Sequence, residues 1–234
     1  MNYGENELTP HYFWPTLVVE DQYENPEEFK NIFWDNVMQY IVKGRTGENV
    51  NMIDLHLNPK FEDLYKAITK SVRQYFEQLY VEPNTYDINI TKSWMNIRGE
   101  SSTPRHSHSD AHYSFIYHVH TPEQYADKNI IFYANKHMSN EGFPGMFANS
   151  VTDYNALNSP IHFFPPSEGK ILVFPANIPH SVDGTIDPSE EILYDNLDKL
   201  KSLRISIAGD IHLTYTAKAP RFSGIQPVSN WKKF

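Results

Sequence analysis

The chain of 234 residues contains no cysteine. Disulfides, thiolate metal sites and a cysteine nucleophile are therefore excluded. A bound metal would have to be held by histidine, aspartate or glutamate, donors that suit iron, manganese, zinc or copper. The N-terminal residues lack the basic and then apolar pattern of a signal peptide. No stretch approaches the roughly 20 apolar residues of a membrane span, so we expect a cytoplasmic protein without a membrane partner.

Excess positive charge is also missing, because the formal net charge is −9. This balance argues against broad nucleic-acid binding, which requires a basic face. Glycine is scarce, with 10 residues, whereas there are 16 prolines and 33 aromatic residues (15 Tyr, 14 Phe and 4 Trp). Many aromatic residues together with many prolines favour short strands joined by ordered turns.

Helical patterns occur early in the chain and strand patterns follow. After an opening strand over 12–20, apolar side chains at helical spacing predict a helix beginning at Asn25–Glu28 and another over 60–80. Helices followed by a run of strands predict a mainly β fold with flanking α-helices. The strands are expected at 86–98, 113–120, 129–134, 161–164, 170–175 and 204–213.

The chain length suits one domain over residues 1–234. Within it, residues 1–85 would supply the first strand and the supporting helices, and residues 86–216 the β core. Residues 184–202 have the composition of an acidic insertion in that core, partly helical from Ser189 to Ser202. Residues 217–234 are expected to form a C-terminal arm.

A histidine cluster precedes the strand at 113–120. His106 and His108 are two residues apart, Asp110 follows, and His180 comes after a distant Phe-Pro turn. In an extended chain, residues i and i+2 point the same way, so such neighbours can bind one ion. The triad is either His106, His108 and His180, with Asp110 orienting one ring, or His108, Asp110 and His180. Spacing alone does not decide between them, and we favour the all-histidine set.

A buried arginine is expected in the last strand. Arg204 and Ser206 alternate with Ile205 and Ile207, so the two polar side chains share one face. An arginine on the inner face of a β-sandwich is costly unless it meets an anion. Its planar fork suits a carboxylate, and a hydroxyl at i+2 can add a further hydrogen bond.

These motifs together resemble the 2-oxoglutarate and iron(II)-dependent oxygenases, and within them an uncharacterised branch found in marine bacteria and phages. The resemblance covers about residues 90–213, and its motifs are short but occur in the order of that branch. They are Trp94-Met95-Asn96, His106-Ser107-His108, Ser114-Phe115-Ile116-Tyr117, Pro166-Ser167-Glu168-Gly169, Phe174-Pro175, His180-Ser181-Val182 and Arg204-Ile205-Ser206.

The resemblance implies a double-stranded β-helix, a jelly-roll or cupin-like fold, preceded by N-terminal helices. It implies iron(II) on His106, His108 and His180, with 2-oxoglutarate as cosubstrate and O₂ as oxidant. Arg204 and Ser206 match the pair that holds the distal carboxylate, and Asn96 and Tyr117 match further cosubstrate contacts. The chain departs from the wider family in having His-x-His instead of His-x-Asp, and in the long segment between His180 and Arg204.

The predicted function is therefore that of a 2-oxoglutarate-dependent dioxygenase, a hydroxylase of an unidentified substrate. One alternative is a three-histidine cupin-type metalloenzyme that does not use 2-oxoglutarate, and another is a non-catalytic jelly-roll binding module. A homodimer is one assembly open to such a fold, and a phage-encoded chain would act in the host cytoplasm.

Overall fold

The computed structural model describes residues 16–38, 54–98, 102–134, 159–184, 197–216 and 226–233. It contains three α-helices: α1 (Pro26–Val37), α2 (Glu62–Gln78) and α3 (Leu197–Lys201). Its strands are β1 (Val19–Gln22), β2 (Tyr86–Arg98), β3 (Thr103–His106), β4 (Tyr113–His120), β5 (Ile130–Tyr133), β6 (Ile161–Phe164), β7 (Lys170–Pro175), β8 (His180–Val182) and β9 (Arg204–Tyr215). Short 3-10 turns lie at Leu55–Leu57, Pro59–Phe61, Pro83–Thr85, Glu123–Tyr125 and Val228–Asn230.

The strands form two antiparallel sheets. The larger sheet has the order β1-β7-β4-β9-β2, and the smaller one has the order β3-β8-β5-β6. The sheets pack face to face, because Phe132 of β5 contacts Phe174 of β7 with 4.8 Å between their ring centroids. A mainly β fold with flanking helices, as predicted, is confirmed.

The larger sheet is buried on both faces. One face packs against α1 and α2 in an extensive apolar core that includes Phe29, Phe61 and Ile68. The other face packs against the smaller sheet around Ile116, Leu172 and other residues. Since successive strand residues point to opposite faces, each central strand contributes odd-numbered side chains to the helical core and even-numbered side chains to the space between the sheets. The odd-numbered set is Met95, Ile97, Phe115, Tyr117, Val119, Ile171, Val173, Ile205, Ile207 and Ile211.

The observed elements confirm most of the expected ones and adjust several ends. Helix α2 begins at Glu62, because Pro59–Phe61 forms a 3-10 turn. The strand Thr103–His106 was not predicted, since its four residues have no alternating pattern. Strand β1 lies at Val19–Gln22, shifted toward the C-terminus of the expected range, and β9 extends to Tyr215.

The described part of the expected insertion contains helix α3, whose residues Leu197–Lys201 lie within the helix expected from Ser189 to Ser202. Residues 185–196 and 217–225, and the start of the opening strand at 12–15, lie outside the described residues. No helix within the described ranges is long and apolar enough to span a membrane.

Candidate metal centre and cosubstrate cavity

Three histidines meet where β3, β8 and the loop after β3 come together. The antiparallel pairing of β3 with β8 sets His106 opposite His180. The backbone N–H of His108 donates to the carbonyl of Ala176 at 2.8 Å, which ties this loop to the turn between β7 and β8. One ring nitrogen of each histidine lies within 4.8 Å of the other two. The fold thus brings together the three predicted ligands, although His180 is more than 70 residues away from the other two in the sequence.

The Nδ1 atom of every ring in this group contacts an oxygen that can only accept a hydrogen bond. Each Nδ1 must therefore carry the proton, which leaves the lone pair of each Nε2 available to a metal ion. A partner that fixes the tautomer and orientation in this way is typical of metal-bound histidine. The contacts are His106 Nδ1 to the Pro104 carbonyl at 2.8 Å, His108 Nδ1 to Asp210 Oδ1 at 2.6 Å, and His180 Nδ1 to the Ile178 carbonyl at 3.0 Å.

His180 is also held in the neutral form that metals bind. Burial, together with the imidazoles of His106 and His108, lowers the pKa of His180 to about 4. Metal binding requires a deprotonated imidazole nitrogen, so no proton has to leave this ring at neutral pH. A trio of imidazoles of this kind fits a divalent transition metal such as iron, zinc or copper.

Asp210 is a functional residue whose role was missed at the sequence level. Its side chain is fully buried in β9, and its Oδ1 accepts hydrogen bonds from His108 and from Ser114 Oγ at 2.7 Å. Lys92 Nζ lies 2.7 Å from the other oxygen. Burial alone would raise the pKa of Asp210, but the hydrogen bonds from His108, Lys92 and Ser114 outweigh it and lower the pKa to about 2. Asp210 therefore orients His108 as a permanent anion.

Asp110 lies outside the histidine group. Its side chain is 70% exposed, and one of its oxygens lies 3.2 Å from Lys92 Nζ. The same ammonium thus joins two carboxylates, one on the surface and one beneath it. Of the two triads considered from the sequence, the geometry brings together the all-histidine one and directs Asp110 toward Lys92.

A cavity of about 610 Å³, counting its solvent-open mouth, extends from the histidines between the two sheets. Strand β9 contributes both to the cavity wall and to the support of the histidines. Arg204 and Ser206 line the cavity, and Asp210, on the same face of the strand, contacts His108. The lining residues of β2, β4 and β9 are Trp94, Asn96, Ser114, Phe115, Ile116, His118, Arg204, Ser206 and Ala208.

The predicted anion-binding residues lie inside this cavity. Arg204 is 4% exposed, and its Nη1 donates to the backbone carbonyl of Lys128 at 2.6 Å. Ser206 is the cross-strand partner of Asn96, so the hydroxyl-bearing and amide-bearing positions are neighbours on one face. Arg204, Ser206 and Asn96 therefore occupy one region of the cavity wall.

Tyr117 does not join them, which corrects its expected place at the cosubstrate. Its ring packs edge-on against Phe29 of α1, with centroids 5.3 Å apart, on the helical side of the larger sheet. The strand alternation explains this position, because Ile116 and His118 line the cavity and Tyr117 between them must point away. Asp210 was recognisable by the same rule, since it lies at i+6 from Arg204 on the same face.

Comparisons with known proteins agree with this geometry. Residues 92–192 match the model of a family described as "Putative 2OG-Fe(II) oxygenase". This segment includes the three histidines and ends before Arg204. No curated protein matches the sequence.

Several solved structures share the fold. The α-ketoglutarate-dependent epimerase SnoN from nogalamycin biosynthesis has a TM-score of 0.52 and 11% identity, covering 89% of this chain and 84% of that one. AviO1 from Streptomyces viridochromogenes has a TM-score of 0.51 and 8% identity, covering 88% and 92%. EctD from S. alaskensis, with 2-oxoglutarate and 5-hydroxyectoine, has a TM-score of 0.50 and 11% identity, covering 85% and 72%.

At these identities the likeness to solved structures concerns the fold, and it confirms the double-stranded β-helix. The family match covers the segment that contains the histidine group. Residues 92–192 of this chain are thus similar to a family of 2OG-Fe(II) oxygenases, and the whole chain has the fold of the solved structures named above.

Proposed function

We propose that this protein hydroxylates a C–H bond of its substrate, with iron(II) on His106, His108 and His180 and with the distal carboxylate of 2-oxoglutarate on Arg204 and Ser206. One observation carries the proposal. Three imidazoles, each with its Nδ1 hydrogen-bonded to an acceptor, converge at a cavity that also contains a buried arginine. A dicarboxylate cosubstrate explains why a group of metal-binding imidazoles and a buried arginine line the same cavity.

Iron(II) and 2-oxoglutarate, when bound, would supply the oxidising chemistry, in which R–H, 2-oxoglutarate and O₂ are converted to R–OH, succinate and CO₂. The protein's own contribution is placement. Asp210 keeps His108 in one tautomer and orientation, and backbone carbonyls do the same for His106 and His180. The guanidinium of Arg204 can hold a carboxylate through two parallel hydrogen bonds.

Aromatic side chains of the cavity wall pack against two of the three histidines. Phe174 packs edge-on against His180, with ring centroids 5.0 Å apart. Trp94 lies almost parallel to His108, at 5.6 Å between centroids and 24° between planes. Aromatic contacts on two of the three histidines restrict ring movement and lower the local dielectric, which strengthens each electrostatic contact made there.

Four narrower assignments belong to the same proposal. The order of the short motifs supports a place in the branch found in marine bacteria and phages. The lack of an apolar span in the sequence supports a cytoplasmic location. The negative net charge supports a substrate other than bulk nucleic acid. A homodimer is the proposed assembly, which sedimentation can check.

The test is an anaerobic titration of the apoprotein with iron(II) and then 2-oxoglutarate. We expect one equivalent of iron to bind and the visible charge-transfer band of an iron–2-oxo-acid chelate to appear. On admission of O₂, slow substrate-free turnover should release succinate. Iron binding without the band and without succinate would refute the proposal.

A second candidate deserves the same experiment, because the third ligand position holds histidine in place of a carboxylate. A cupin-type three-histidine enzyme would bind iron equally well but ignore 2-oxoglutarate. In that case the Arg204→Ala variant would keep full activity on the substrate, whereas the oxygenase proposal requires a severe loss.

A further inference from the structure

His118 is a polar side chain at the inner end of the cavity whose role nothing above assigns. It belongs to β4, is only 2% exposed and lines the cavity. Neither of its ring nitrogens has a hydrogen-bond partner among the described residues. Buried polar groups in proteins are almost always paired, so an imidazole with two unpaired nitrogens indicates a ligand-binding role.

The strand register places His118 in a polar row across the larger sheet. Ser206 of β9 is the cross-strand partner of His118 on one side and of Asn96 on the other. Directly opposed residues point to the same face, so imidazole, hydroxyl and amide lie side by side. Arg204 follows two residues from Ser206 on the same face. These four side chains together form one polar surface on the wall that the larger sheet contributes to the cavity.

The charges around His118 favour an anion there. Burial, together with the positive charges of Arg204 and Lys170, lowers the pKa of His118 to about 3. Lys170 Nζ donates to the carbonyl of Pro165 at 2.8 Å and lies 3.2 Å from a carboxylate oxygen of Glu20. The ring is therefore neutral at pH 7 and keeps one N–H, which can donate a hydrogen bond to a carboxylate.

We propose that His118 is a further cosubstrate-binding residue, whose neutral imidazole donates a hydrogen bond to the distal carboxylate of 2-oxoglutarate beside Arg204 and Ser206. This inference rests on the proposed function. It makes the polar row a recognition element for 2-oxo acids that end in a second carboxylate. A 2-oxo acid with a methyl end would leave the His118 donor unpaired.

The experiment measures dissociation constants by the charge-transfer band in the anaerobic iron(II) protein. The probes are 2-oxoglutarate and 2-oxopentanoate, which has the same chain length but no distal carboxylate. His118→Phe retains a flat ring without nitrogen atoms, and His118→Leu is a second apolar variant. We expect both variants to bind 2-oxoglutarate about 10- to 100-fold more weakly, as for loss of one hydrogen bond to a charged group.

The controls separate recognition from structure. Binding of 2-oxopentanoate and of iron(II) alone should stay within about 3-fold of wild type, and His118→Gln should recover part of the 2-oxoglutarate affinity through its amide N–H. A folded Phe or Leu variant with wild-type 2-oxoglutarate affinity would overturn the inference, as would an equal loss for both 2-oxo acids. Absence of the band in the wild-type protein would instead refute the proposed function.

Discussion

Replacement of Asp210 by asparagine tests whether the buried carboxylate tunes the metal centre. Asparagine has nearly the same size, so the substitution removes the negative charge without opening a cavity. The carboxylate accepts a 2.6 Å hydrogen bond from His108 and lies 2.7 Å from both Ser114 Oγ and Lys92 Nζ. Without the anion, the His108 ring is less firmly oriented and its Nε2 is a weaker donor to the metal.

The expected magnitude follows from the contact that is lost. Removing the partner of a metal-bound histidine typically lowers metal affinity about 10- to 100-fold, which corresponds to roughly 1.4–2.8 kcal/mol. The assay is an anaerobic iron(II) titration in competition with a chromophoric chelator, with circular dichroism to check the fold. An iron affinity of Asp210→Asn within 2-fold of wild type would refute the proposed orienting role.

Asp110→Asn provides a matched control. Asp110 also pairs with Lys92, but its side chain is exposed and it has no described contact with a histidine. Exposed ion pairs contribute little, so we expect iron affinity to change less than about 3-fold. A large loss in this variant would support the alternative triad of His108, Asp110 and His180 and would contradict the all-histidine assignment.

Three further perturbations address the cavity, the buried histidine and a turn. Arg204→Ala should weaken 2-oxoglutarate binding at least about 30-fold, from a loss of about 2 kcal/mol or more at a buried charge, and an unchanged dissociation constant would exclude this anion site. The free energy of unfolding of the apoprotein should fall as the pH drops from about 6.5 toward 3, because the unfolded chain protonates His118 whereas the folded chain, with a pKa of about 3, does not. His118→Gln should make this decline shallower by up to about 1.4 kcal/mol per pH unit in urea titrations, and equal slopes would contradict the low pKa. Gly169→Ala should lower Tm by roughly 4–8 °C, for about 2 kcal/mol, since Gly169 has φ +82° and a Cβ there would lie 2.8 Å from Pro26, and an unchanged melting curve would show that the turn can relax.

Local patterns were sufficient to predict most elements of this fold. The apolar stripes of α1 and α2 and the alternation of β9 each reflect one geometric period, and each element was found within a few residues of its expected range. Strand β3 was missed because four residues with an exposed pattern have no periodic signal, and only pairing with β8 defines them as a strand.

The site residues could be predicted where spacing along the chain determines which side chains are neighbours. They were ambiguous where the pairing of strands determines it. His106 and Asp110 flank His108 symmetrically in the sequence, so alternation treats them alike. The pairing of β3 with β8 separates them, since it fixes His106 opposite His180 and leaves Asp110 in the following loop.

The sequence also did not indicate to which face of β4 the side chain of Tyr117 points. Strand β4 was predicted with its exact bounds, but its residues are buried on both faces, so hydrophobicity gives no indication of which face borders the cavity. Alternation along β9 places Asp210 on the same face as Arg204, but its contact with His108 could not be predicted, because it joins residues that are 102 positions apart.

One face of the larger sheet packs against the helices and the other borders the cavity, and this separation has an evolutionary consequence. Along residues 92–98 of β2 and along β4, β7 and β9, the side chains packed against the helices carry odd numbers, and nearly all those that border the cavity carry even numbers. Selection for a new substrate can therefore act on alternate residues while the intervening ones preserve stability. Saturation mutagenesis of these strands should give abundance and catalytic fitness profiles that each repeat every two residues, out of phase with one another.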